Sequence, residues 1–211
     1  MSSPLEEIYR KAGRHLARRD ATLKQIIKRV GACTLQVNSD RFGILTRAII
    51  SQQISGKAAA AISGRLAQAL GPRGITARGI LKLTDEKLRQ IGLSANKCRS
   101  VRDLAEKVHK GAVPLVQIHE LPDEEVIAKL IPVRGIGRWT AEMFLIFSLG
   151  RLDVLPVDDF GLRAGVKRHY GLKEMPPRKQ LHELAEPWRP YRTIATWYIW
   201  RSLGPVPQSK E

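Results

Sequence analysis

The stretch VRGIGRWTAEMF, Val133 to Phe144, sets two glycines and a basic residue before an apolar helix and puts a tryptophan on that helix's first turn. Glycines at 135 and 137 permit positive φ and close approach of the backbone to another molecule, while the helix that follows offers unpaired N–H groups and the positive end of its dipole. That is a chemistry of anion binding. Val133, Arg134, Gly135, Ile136, Gly137 and Arg138 would together grip a phosphodiester without reading its sequence, although the same pattern also suits a plain connector between DEEVIAKL and RWTAEMFLIF. Downstream, LPVDDFGLR carries the adjacent carboxylates Asp158 and Asp159 directly before FGLRAGVKRH, where either can cap the helix; Asp158 is the expected cap.

The formal net charge of +16 over 211 residues calls for a polyanionic partner, while 43% hydrophobic and 27% charged residues are ordinary for a globular chain. Nucleic acid is the first candidate, because basic proteins bind it by displacing condensed counterions, and anionic membrane is the alternative. No run of about 18 apolar residues appears, and MSSPLEEIYR lacks the apolar core of a secretory signal, so a cytoplasmic protein is expected, or a nuclear one if the source is eukaryotic. Cys33 and Cys98 lie in no CxxC arrangement, and His15, His109, His119, His169 and His182 show no HxxxH or HExxH spacing. A side-chain metal centre or a disulfide framework is therefore not expected.

The elements that must position these residues read as helices. Acid-first, base-last segments follow Asp20, open at Asp85 and Glu86, and run through SANKCRSVRDLAEKVHKG. FGILTRAIISQQ and GKAAAAISGRLAQALG form two more, parted by a polar kink over 51–56, and the short side chains of the second suit close packing. With the segments near 85–92, 95–110 and 123–131 and the helix to Leu149, this makes a central group of about six. LDVLPV is the best strand candidate and its proline weakens it, so the chain is expected to be all-α. A last helix, WRPYRTIATWYIWRSLG, is rich in aromatics, and a second lobe would have to draw on both termini.

RGIGRWTA followed at a set distance by LPVDDFGLR resembles the helix-hairpin-helix (HhH-GPD) DNA glycosylase superfamily, and IISQQISGKAAAAI and PWRPYRTIATWYIW extend the resemblance to its 3-methyladenine DNA glycosylase II branch. The resemblance implies two helical lobes with the active site in the cleft between them: a six-helix barrel lobe over 42–155 with the hairpin at about 123–149, and a second lobe from 1–41 plus 156–211. It implies a monofunctional enzyme that flips and excises alkylated purines (3-methyladenine, with 7-methylguanine as a further substrate) from double-stranded DNA and leaves an abasic site. Asp159 would be the catalytic carboxylate, and Trp139, standing where lyase relatives carry a lysine, would line the base pocket with Trp197 and Met143. Gln53 would be the wedge that fills the gap left by the flipped base, with Gln52 and Ile54 sharing the work; Trp200 would be a core anchor.

A monovalent sodium or potassium ion on the backbone carbonyls of Ile131, Val133 and Ile136 is also implied, with no required cofactor and no iron–sulfur cluster. Arg134 departs from the family's usual proline, and Met143 stands where an aromatic residue occurs in the best-known branch, which leaves the lesion range open. Lys57, Arg163, Lys167 and Arg168 are further cations near the motifs or in a basic helical cluster. A monomer is expected, with a glycosylase for an oxidised or deaminated base and a non-catalytic DNA-binding module as the other readings.

Overall fold

The computed structural model describes residues 4–204, and among them the regular structure is helical throughout. No helix in that range is long and apolar enough to cross a membrane. Two compact units are present: Met1–Val37 with Gly150–Glu211, and Asn38–Leu149. The divisions fall a few residues earlier than the bounds the resemblance implies. The Asn38 N–H bonds the Phe147 carbonyl at 2.9 Å and Ser148 Oγ bonds the Asn38 carbonyl at 3.2 Å, so the two ends of the central unit are tied together. In the other unit Gly150, at φ +66°, lies against Val37.

The discontinuous unit begins with α1 (Pro4–Arg19), which buries Tyr9, Ala12, Gly13 and Leu16 along one stripe. Asp20 caps α2 (Ala21–Val30) through the Leu23 N–H at 2.8 Å and also accepts from Tyr170 Oη at 2.5 Å and Trp188 Nε1 at 2.9 Å. After Gly150 come α10 (Phe160–His169), α11 (Arg178–Ala185) and α12 (Arg192–Ser202). Residues 193–199 of α12 are all buried, so α12 is the core element on which α1, α2 and α10 pack. A Cβ on Gly165 of α10 would sit 2.2 Å from Ile199 Cγ2, so glycine is what allows α10 and α12 to approach.

The central unit runs α3 (Arg41–Ser51), α4 (Gly56–Leu70), α5 (Ala77–Lys82), α6 (Asp85–Ile91), α7 (Ala95–His109), α8 (Asp123–Leu130) and α9 (Arg138–Phe147). The predicted group of six lacked α5, whose six residues show too little periodicity but which Thr76 caps and Ile80 anchors. α4 also differs from expectation. Only Ala59 of its leading alanines is buried, while Ala58, Ala60 and Ala61 face outward, so their small size serves helix propensity rather than close packing. LDVLPV forms a loop, not a strand.

Candidate active site

The α8–α9 hairpin is built from the inside outward. Val133 and Ile136 bury their side chains, and the Ile136 N–H closes the turn on the Val133 carbonyl at 3.0 Å. Gly135 adopts φ +81°, and a Cβ there would lie 3.0 Å from Ser100 Oγ on α7. Gly137 differs from the expectation of a left-handed glycine: its φ is −96°, it is the N-cap of α9, and nothing lies within 4 Å of the place a Cβ would occupy. Its value is open space in front of a helix end that no side chain caps.

Two side chains brace this turn, and neither was legible as a brace in the sequence. Asp103 of α7 accepts the Arg134 N–H at 2.7 Å and pairs with Lys107. Burial pushes the Asp103 carboxyl up, and the Arg134 N–H together with Lys107 outweigh that and hold it below the usual range. Gln52 donates its Nε2 to the Gly135 carbonyl at 2.7 Å, so it ties the 51–55 loop to the hairpin instead of projecting as part of a wedge. Arg138 also departs from its expected phosphate role: its guanidinium pairs with Glu124 and with the buried Glu142, bonds that raise its pKa. Arg134 remains exposed at the turn, as does Lys57 on α4.

Gln53 has φ +58°, the one positive φ at a non-glycine position among the described residues, and it is exposed. Backbone strain of this kind costs on the order of 1 kcal/mol and persists where something holds it. Here Gln52 anchors one side and Ser55, which caps α4 through the Ala58 N–H at 3.2 Å, anchors the other. The 37% exposed Ile54 lies between these anchors. On α9, Trp139 is 45% exposed and Met143, one turn later, is half-buried, whereas Thr140, Ala141, Phe144 and Leu145 point into the core. The two pocket candidates thus share the open face of one helix.

Asp159 and Trp197 belong to the other unit. The loop leading to Asp159 is stitched to α12: Thr193 Oγ1 donates to the Arg151 carbonyl at 2.7 Å and accepts the Val154 N–H at 3.0 Å, and Arg192 holds Asp153 through two bonds of 2.8 and 2.9 Å. Asp159 is buried, 9% exposed, and its Oδ1 accepts the Leu162 N–H at 2.6 Å and Trp200 Nε1 at 2.7 Å. The helix cap is therefore Asp159. Asp158, the expected cap, is exposed and forms a two-bond ion pair with Arg178, each bond 2.7 Å.

Trp200 is likewise not the core anchor expected of it; it is half-buried with its N–H on the candidate carboxylate. Its spacing was the available signal, because Thr193 and Trp200 stand seven residues apart on one face of α12 and both reach the 151–159 segment. Trp197 is only 7% exposed, lies edge-on to Tyr198 at 5.0 Å, and has the Arg201 guanidinium 5.7 Å from its ring centre. Phe160, unremarked in the sequence, is 75% exposed immediately after Asp159. Tyr198 Oη donates to the Gly31 carbonyl and Tyr191 packs edge-on to His15. Arg163 is engaged with the Pro176 carbonyl, while Lys167 is half-buried and Arg168 exposed.

The discontinuous unit by itself presents an oriented carboxylate, and the central unit by itself presents exposed aromatic surface and a helix end receptive to phosphate. Residues 46–190 match the family model described as HhH-GPD superfamily base excision DNA repair protein. The chain is 33% identical over 198 residues to an alkylbase DNA glycosidase-like protein, mag2, of Schizosaccharomyces pombe, covering 92% of this chain and 93% of that one. Among solved structures, a 3-methyladenine DNA glycosylase of the same yeast in complex with abasic DNA is 36% identical, with a TM-score of 0.79 over 90% of this chain and 95% of that chain. A DNA-3-methyladenine glycosidase from Bacillus halodurans is 37% identical, with a TM-score of 0.84 over 96% and 90%. This chain belongs to the HhH-GPD superfamily of base excision DNA repair proteins.

Proposed function

We propose that the protein is a monofunctional DNA glycosylase that flips alkylated purines, 3-methyladenine above all and 7-methylguanine with it, out of double-stranded DNA and hydrolyses their N-glycosidic bonds. The observation that carries the reading is Asp159, a buried carboxylate fixed by two donors at the head of α10. As the base departs, positive charge builds on the sugar; the carboxylate stabilises it and assists the water that adds at the anomeric carbon. The products are free base and an abasic site.

The exposed face of Trp139 suits the electron-poor ring of an alkylated base, an attraction worth about 0.5–2 kcal/mol per contact, and the exposed Phe160 adds aromatic surface next to Asp159. Trp139 carries no amine, so a Schiff-base route has no nucleophile at that position. The uncapped N–H groups at the start of α9 would receive a backbone phosphate, and Gln53 would enter the stack vacated by the flipped base. A sodium or potassium ion fits the neutral oxygen donors of the hairpin: the Val133 carbonyl, which accepts the Ile136 N–H, keeps a second lone pair, and Ile131 and Ile136 would supply the others. Such an ion would hold the turn and add positive charge beside a phosphate. The protein would work as a monomer wherever the chromosome lies, in cytoplasm or nucleus.

Met143, in place of an aromatic side chain, leaves room for a different lesion, and the test includes that reading. Free bases released from methylated duplex, and from duplex carrying 8-oxoguanine or hypoxanthine, are measured for the wild type and Asp159→Asn, with strand breaks scored before and after alkali. Release of 3-methyladenine that the variant loses, with breaks only after alkali, is expected. Excision of a neutral lesion while methylated purines are ignored would refute the proposed substrate, and breaks without alkali would refute the monofunctional assignment.

A further inference from the structure

We infer that Trp200 is a positioning residue for the reaction: its indole N–H sets the Asp159 carboxylate in the orientation the chemistry requires. The inference rests on the reading of Asp159 as the catalytic carboxylate. Two donors converge on Oδ1, the Leu162 N–H from the helix Asp159 caps and Trp200 Nε1 from α12. Donors arriving from two different elements constrain the carboxylate plane more tightly than the cap bond alone would.

The choice of donor follows from chemistry. An indole N–H can only donate, so it cannot take a proton from the reaction or reverse its role. It is neutral, so it leaves the carboxylate its negative charge for the cationic transition state. It is also rigidly mounted, because α12 is buried from Thr193 to Ile199 and Thr193, two turns before Trp200, bonds the loop that delivers Asp159. Gly161 completes the fit: a Cβ there would lie 3.2 Å from both Asp159 Oδ1 and Trp200 Cδ1.

Single-turnover base release from methylated duplex and affinity for duplex carrying an abasic-site analogue are compared for wild type, Trp200→Phe, Gly161→Ala and Asp159→Asn. Trp200→Phe keeps the ring and removes the donor, so release should slow by about ten- to a hundredfold, the size expected for one hydrogen bond to a charged acceptor. Affinity and thermal midpoint should stay close to wild type. Gly161→Ala keeps Trp200, improves helix propensity and crowds the contact, so it too should slow release without loss of stability. In protein labelled with 15N-tryptophan, the indole resonance missing from Trp200→Phe should shift in Asp159→Asn.

Unchanged release in Trp200→Phe, or a loss matched by equal losses of affinity and stability, overturns the inference, as does an indole resonance indifferent to Asp159→Asn. If Trp200→Phe fails to fold, unchanged release by Gly161→Ala overturns it instead. Asp159→Asn at wild-type activity would refute the assignment of Asp159 itself, a result distinct from any failure confined to Trp200.

Discussion

Gly135→Ala and Gly137→Ala look alike in the sequence and should behave as opposites. At Gly135 the new residue must hold φ +81°, which costs about 1–2 kcal/mol for any side chain with a Cβ. Its Cβ would also meet Ser100 Oγ at 3.0 Å, on a residue that is only 6% exposed. Together these predict a loss of about 2 kcal/mol, a fall in melting temperature of roughly 4–8 °C for a chain of this size. Because the strain falls on the hairpin, affinity for abasic-site duplex should drop about tenfold, which corresponds to about 1.4 kcal/mol.

Adding Ser100→Ala to Gly135→Ala should restore the steric part, about 1 kcal/mol, and leave the dihedral part. Gly137, at φ −96° with open space around it, should accept alanine within about 1 kcal/mol in stability, yet lose DNA affinity where a methyl group occupies the approach to the α9 N-terminus. Urea denaturation and fluorescence anisotropy against the same duplex measure both quantities. If Gly135→Ala is as stable as wild type while Gly137→Ala is the damaging change, the account of the hairpin is wrong.

Two solution properties follow from buried groups. Burial, with Arg29 and Arg168 nearby, holds His169 below the ordinary imidazole range. The unfolded chain therefore takes up that proton first, so the stability contributed by neutral His169 is complete above about pH 6.5 and is lost as pH falls through that value towards the folded pKa. His169→Gln should flatten the pH dependence of the urea midpoint between pH 5 and 7.5, and an unchanged slope would refute the assignment. Burial also pushes the Cys33 thiol up to about 12 and raises that of Cys98. A thiol reagent at pH 8 should label neither cysteine in the native protein and both in denaturant, and a fast native phase would contradict this.

What the sequence by itself determined were the properties carried by short-range pattern. Helical periodicity, caps such as Asp20 and Ser94, the glycine turn before Trp139 and the carboxylates before α10 are all local, because a helix and its ends depend on residues within about four positions. The family followed because several such motifs stand at set separations. Only the tertiary structure decided which of two adjacent groups does which work. Asp159 rather than Asp158 became the buried cap because Trp200, 41 residues away, reaches it, while Arg178 draws Asp158 outward. Gln52 became a brace because it bonds the Gly135 carbonyl, 83 residues on in the chain, and Gln53 became the exposed residue at positive φ. Arg138, an apparent phosphate ligand, instead pairs with Glu124 and Glu142. Each of these choices is a pairing of polar groups carried by separate elements. Its energy depends on a partner whose position is set by the packing of other helices, so no local pattern could record it.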